Sequence, residues 1–330
     1  MTSNIGDAMK NLSKIVCVVD PTTKTQHAVS RASWLARLTG AELNLFICYY
    51  NEYLSGDRFF DSRSLAKARQ EVVDGHLEYL ESLAAPLRES GLNVTTTSTW
   101  DHPLHDGVVR HATECNASMV VKDTHYHSGA ARILLSNTDW QLIRTVAAPL
   151  WLVKPREISD RPVFVAAIDP MNEHDKPAAL DDEILITSKM LAAAAGGDLR
   201  AFHAYDPRIA IATASANAYL PVSLPMDEIE QQMREQHGKR FNSIVAYHGI
   251  REDHAHLISG RTFEELPALA IEQKADVVVM GAVARNRWKR LFVGATAERT
   301  LDHLPCDMLI IKPDWFKTPA DILHHDEEAA

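Results

Sequence analysis

Three blocks of sequence occur twice, in the same order and at nearly the same spacing. KIVCVVDP (residues 14–21) is echoed by PVFVAAIDP (162–170), ASMVVKD (117–123) by ADVVVMGA (275–282), and APLWLVKP (148–155) by CDMLIIKP (306–313). The separation stays near roughly 150–160 residues throughout. One such match could arise by chance; three in register mark an internal duplication, so whatever fold one half adopts the other must share. A chain of 330 residues is long enough for two domains with a core each.

Each half repeats one rhythm, in which a short continuous apolar run is followed by an amphipathic stretch. Continuous apolar runs mark strands buried on both faces, and their alternation with helical stretches predicts βαβ units around a parallel sheet. Five runs fall in the first half, at residues 15–19, 43–49, 94–100, 119–121 and 150–153. Five fall in the second, at 163–168, 199–203, 256–258, 277–280 and 308–311. The domains are therefore expected at 1–155 and 162–315, joined by the polar, proline-ended link REISDRP (156–162) and followed by an acidic tail, 316–330. Thr262 to Glu265 has the form of a capping box. Residues 51–69 and 206–228 break the symmetry as long segments after each second strand. The latter, rich in alanine and proline, is a candidate lid or lining for an apolar ligand, or a surface cover or dimer contact.

Composition excludes several classes. The formal charge of −10 argues against a nucleic-acid partner, because such binding needs cationic surface. No run approaches a membrane span, and the first ten residues lack the apolar region of a signal peptide. Four cysteines, Cys17, Cys48, Cys115 and Cys306, form no C-x-x-C pair and read as reduced thiols in a cytoplasmic protein.

Within this acidic chain, residues 281–294 concentrate four cations, Arg285, Arg287, Lys289 and Arg290, between Gly281 and Gly294. The loop follows a strand, where parallel sheets bind ligands, and precedes a stretch of helical period whose free amides and positive dipole end would face it. Amides, glycine access and positive charge make a candidate anion site, most naturally for phosphate. The competing reading is a solvated basic loop.

The aspartate after each first strand (Asp20-Pro21, Asp169-Pro170), the glycine-loop spacing and the "IKP" ending together resemble the universal stress protein family, and two copies in one chain resemble its tandem E-type subgroup. The resemblance covers about residues 12–314. It implies an α/β fold of two tandem doubly wound domains, each a five-stranded parallel sheet of order 3-2-1-4-5 with helices on both faces. It also implies a stress-response regulator, some of whose relatives bind ATP. Carried over position by position, Asp169 would meet the adenosine end of the nucleotide and Ala204 would support adenine. Met280 and Gly281 would open the phosphate loop, Ala284 stands where a second glycine is expected, and Gly294 closes the loop. Ala295 replaces a hydroxyl residue, with Thr296 one place on. An adenine nucleotide with Mg²⁺ is thus the expected ligand of the second half. In the first half Lys122 replaces the first glycine, His125 the second, and Ser136 falls near the third with one extra residue between, so no nucleotide is expected there, and Asp20 is read as a turn or cap residue.

Sixteen histidines is a high count. His102, His125 and His127 follow the third and fourth strands of the first half and form a candidate Zn²⁺ site. No nucleophile elbow, P-loop or kinase signature is present, so a dedicated enzyme is not expected; weak ATP hydrolysis and a scaffold or carrier for a metal or hydrophobic small molecule stand as alternatives. The apolar edge runs LWLV and MLII are expected to pair the halves as an intrachain pseudo-dimer, and a homodimer remains open.

Overall fold

The computed structural model describes residues 12–54, 62–124, 135–171, 178–208, 225–282 and 300–319. The chain divides into two compact units, Met1–Ile158 with Asp314–Ala330, and Ser159–Pro313.

In the first unit the strands are β1 (Lys14–Val18), β2 (Glu42–Tyr49), β3 (Val94–Trp100), β4 (Met119–Asp123) and β5 (Leu150–Val153). They pair in parallel in the order β3-β2-β1-β4-β5. The helices are α1 (His27–Thr39), α2 (Ser62–Glu89), α3 (Leu104–Glu114) and α4 (Asn137–Thr145). The second unit repeats the plan with β6 (Val163–Ala167), β7 (Asp198–Tyr205), β8 (Ala255–Ser259), β9 (Val277–Gly281) and β10 (Asp307–Ile311). Their order, β8-β7-β6-β9-β10, is again 3-2-1-4-5 and parallel throughout. Its described helices are α5 (Ala178–Ala194), α6 (Met226–Tyr247) and α7 (Thr262–Glu272). All ten sequence-read strands are present. Their valine and isoleucine runs are β-branched and buried on both faces, as the continuous patterning requires: Ile15 to Cys17, Met119 to Val121 and Val277 to Val279 are fully buried.

Strand order reverses between β1 and β4 in the first unit and between β6 and β9 in the second, so each sheet has its crevice at the carboxyl ends of these strands. At the opposite end of the second sheet, buried Asp276 fastens the start of the unit. Its carboxylate accepts from Ser159 N (3.1 Å), Ser159 Oγ (2.9 Å) and Val163 N (3.0 Å).

Two local expectations are corrected. Thr262 is the first residue of α7 and not its cap: Arg261 holds the N-cap position without a side-chain cap, and its guanidinium pairs with Glu264 (Nε to Oε2, 2.9 Å). Among the described residues a capping box is formed at α4, where Ser136 and Asp139 bond reciprocally. The first long insertion is shorter than expected, because a 3₁₀ turn covers Glu52–Leu54 and α2 already begins at Ser62. Of the second insertion, residues 209–224 lie outside the described residues. Among the described residues no helix is long and apolar enough to cross a membrane.

Candidate functional site

In the second unit, pairing continues one residue past β6 (Ile168 N to Phe202 O, 3.0 Å) and delivers Asp169 to the crevice. The Asp169 amide donates to Oδ1 of Asp181 (3.0 Å), a buried carboxylate in the first turn of α5. This contact fixes the backbone without using the Asp169 side chain. Asp169 Oδ2 is buried and has no hydrogen-bond partner among the described residues. A buried carboxylate oxygen without a donor is costly, and a ligand hydroxyl or amino group would relieve it.

Beside it lies a buried histidine pair. His203 on β7 meets the Ile168 carbonyl through Nδ1 (3.1 Å) and His237 Nδ1 through Nε2 (2.7 Å), with rings 5.0 Å apart and nearly parallel. A carbonyl can only accept, so in the neutral pair His203 carries its proton on Nδ1 and its Nε2 accepts from His237. The pair holds the carbonyl immediately before Asp169. Ala204, half-buried, pairs in register with Ile258. Beyond β7, the Arg208 guanidinium beside Asp206 (Nε to Oδ1, 2.8 Å) holds that carboxyl below the usual range.

Met280 and Gly281 end β9, paired with Ile310 and Ile311. A Cβ added at Gly281 would stand 2.6 Å from Leu180 Cδ2 and 3.2 Å from Ile184 Cδ1, so α5 packs directly onto this glycine. A side chain here would press on Leu180 and Ile184, so packing of α5 by itself favours glycine at this position. Ala284, Gly294, Ala295 and Thr296, and the four loop cations, lie outside the described residues.

In the first unit the matching positions are occupied from within. Asp20 Oδ1 accepts from Thr22 N (2.8 Å) and Thr22 Oγ1 (2.6 Å), while its carbonyl takes Gln26 Nε2 (2.6 Å). Asp20 is thus a turn residue, as its sequence context suggested. The strand register corrects the sequence expectation by one residue: Lys122, opposite Val18 and Leu152, stands at the position of Met280, opposite Ala167 and Ile310, and Asp123 stands at that of Gly281. Lys122 is buried; its Nζ donates to Asp139 Oδ1 and to the Asp123 carbonyl, both at 2.8 Å. Asp139 is fully buried in the first turn of α4, and its Oδ2 accepts from Ser136 N (2.8 Å) and Oγ (2.9 Å). The helix N-terminus that could have received a ligand anion is supplied with one by the protein.

His102 packs its ring on Tyr50 (4.2 Å), and its amide donates to Asp101 Oδ1 (2.7 Å). Asp101 in turn is held by Arg110 (Nε to Oδ2, 2.8 Å). His125 and His127 lie outside the described residues, and among the described residues no group of three or more His, Cys, Asp or Glu is placed to hold a metal ion. The four cysteines are free thiols, three of them buried. Sequence reasoning missed Asp139 and His237. The first had a signal, the S-x-x-D pattern before an amphipathic run. The second, 34 residues from its partner, had none.

The sequence profile of the Universal stress protein family matches this chain twice, at residues 11–154 and 165–312. Universal stress protein E of Escherichia coli K12 is 26% identical over 321 residues, covering 97% of this chain and 99% of that one. Its namesake in Photorhabdus laumondii is 24% identical over 317 residues, covering 94% and 98%. Among solved structures, a putative universal stress protein from Pseudomonas aeruginosa superimposes with a TM-score of 0.71 at 23% identity, covering 96% of this chain and 97% of that one. A universal stress protein from Archaeoglobus fulgidus gives 0.57 at 14%.

Proposed function

The chain belongs to the universal stress protein family, with two family domains in tandem, and from that premise we propose that the second unit binds an adenine nucleotide while the first does not. In this reading the chain is a ligand-responsive member of a stress-response family and not a dedicated enzyme. The nucleoside end lies at Asp169 and Ala204, and the phosphates, with Mg²⁺, lie toward the loop that begins at Gly281. One observation carries the reading: among the described residues Asp169 Oδ2 is buried without a hydrogen-bond partner, whereas Oδ1 of the equivalent Asp20 is taken by Thr22. An unpaired carboxylate suits a sugar hydroxyl or a base amino group and would repel a phosphate, which orients the nucleotide. The cations Arg285, Arg287, Lys289 and Arg290 supply the opposite end with positive charge.

Titration of the full chain with ATP and Mg²⁺, followed by calorimetry and thermal shift, tests the proposal. Saturable binding that weakens about tenfold or more in Asp169→Ala and is unchanged in Asp20→Ala is the expected result. No saturable binding at millimolar ATP, or equal loss in both variants, would overturn it.

A further inference from the structure

The first unit carries at the ends of β2 and β3 a feature that the proposed nucleotide site does not use. Five rings stand in succession there. His76 meets Tyr49 with ring centroids 4.8 Å apart, Tyr49 meets Trp100 at 5.8 Å, Trp100 meets Tyr50 at 5.9 Å, and Tyr50 meets His102 at 4.2 Å. The Arg69 guanidinium lies over the Trp100 ring at 5.7 Å. Tyr49, Tyr50, Trp100 and Arg69 are half-buried and His102 is exposed, so the cluster reaches the surface and is not core. The corresponding end of β7 in the second unit also carries rings, Tyr205 on His237 at 5.1 Å and His237 on His203 at 5.0 Å, but these are buried, and the β8 end closes on Ser259 and Gly260.

The charge arrangement at this end favours an anion. Arg69 Nε is spent on the Leu54 carbonyl (2.7 Å), which fixes the guanidinium plane, and among the described residues no carboxylate pairs with Arg69. The carboxylate closest in sequence to the ring array, Asp101, is already taken by Arg110. His76 adds no positive charge of its own, because burial pushes its pKa down, and its buried Nδ1 has no partner among the described residues. A held guanidinium with spare donors is built for bidentate contact with a carboxylate, and half-exposed rings beside it offer stacking faces.

We propose that the carboxyl end of β2 and β3 in the first unit binds a flat aromatic carboxylic acid, its ring against Tyr50 and Trp100 and its carboxylate on Arg69. This site is separate from the nucleotide reading of the second unit and stands or falls without it.

The probe is 2-naphthoate, titrated into the full chain by calorimetry, with the neutral 2-naphthalenemethanol as its charge-free counterpart. The expected result is saturable 2-naphthoate binding that Arg69→Gln weakens about tenfold or more, with binding of the neutral probe unchanged by that substitution. Tyr50→Leu weakens both probes, and Arg251→Gln, an exposed cation of the second unit, weakens neither. Thermal melting confirms that each variant is folded, and the unchanged neutral probe separates loss of the charge contact from loss of the Leu54 tether. Absence of saturable 2-naphthoate binding up to about 10 mM, or wild-type affinity in both Arg69→Gln and Tyr50→Leu, would overturn the proposal.

Discussion

At the end of its fourth strand the first unit has Lys122 and Asp123; at the same two positions the second unit has Met280 and Gly281. The lysine carries a cation into the interior and finds there Asp139, which also satisfies the cap of α4. The glycine carries nothing and lets α5 press against the strand through Leu180 and Ile184. The same strand end thus serves two purposes. In the first unit a buried ion pair completes the crevice from within, and in the second the crevice is left to helix packing and to the loop beyond. The first-strand aspartates divide the same way, Asp20 bonded to its own turn and Asp169 with an oxygen that no described residue serves. Buried polar groups without internal partners leave room for a ligand's hydrogen bonds, and duplication lets two copies of one fold differ in this respect.

The largest effect that could break this comparison is at Lys122. Lys122→Ala leaves the Asp139 carboxylate buried against only its capping donors, and removing one partner of a buried pair costs about 3–5 kcal/mol. Urea unfolding followed by the fluorescence of Trp34 and Trp151, which meet edge to face in the first unit, measures it. A loss below about 1 kcal/mol would mean that the pair does not hold the crevice shut. Next comes Gly281→Ala. Its Cβ, 2.6 Å from Leu180 Cδ2, must move the buried Leu180 side chain, at about 1–3 kcal/mol. The effect is expected in nucleotide-free protein, and combining it with Leu180→Ala should cost less than the two changes separately. If Gly281→Ala is neutral without ligand, the glycine serves the loop and not the packing.

Much of this architecture can be read from the residues, and the reasons are local. The ten strands show because apolar runs such as VVVM and LWLV are too short for helices and too continuous for an exposed face. Strand order is not local and rested on the family resemblance. Residues 51–69 read as a loop because the strand ends plainly at Tyr49, yet SRSLAKAR from Ser62 consists largely of good helix formers. At Thr262 the box pattern was right in letters and wrong by one position, since Arg261 takes the cap site with an ion pair to Glu264. Ser136 was weighed as a lost glycine when its meaning lay three residues on, in Asp139. Gly281 was legible as a glycine that something requires; that the requirement is a leucine a hundred residues earlier depends on packing, which no spacing encodes.

The smallest of the three effects asks whether a unit that satisfies itself internally also carries its own acid weakness. His111 on α3 packs flat on Phe46, with ring centroids 4.1 Å apart, and its Nε2 lies 2.8 Å from Asn44 Oδ1. Because the Asn44 amide nitrogen already donates to Thr95 and Thr97, its oxygen is the acceptor and His111 the donor. Burial, with a smaller contribution from Lys14, pushes the His111 pKa down to about 4. A folded pKa below the ordinary 6.5 means that the unfolded chain binds the proton more readily. The stabilisation is therefore complete above pH 6.5 and is lost as pH falls from there toward 4. With the ring still partly in contact with water, the share from this residue is about 1 kcal/mol. Urea midpoints read from Trp34 and Trp151 at pH 7, 5.5 and 4 should fall with acid, and His111→Gln, which can still donate to Asn44, should flatten that fall. A slope unchanged by the substitution would place the acid weakness elsewhere, in the half-buried His105 or His76, whose pKa values burial also lowers.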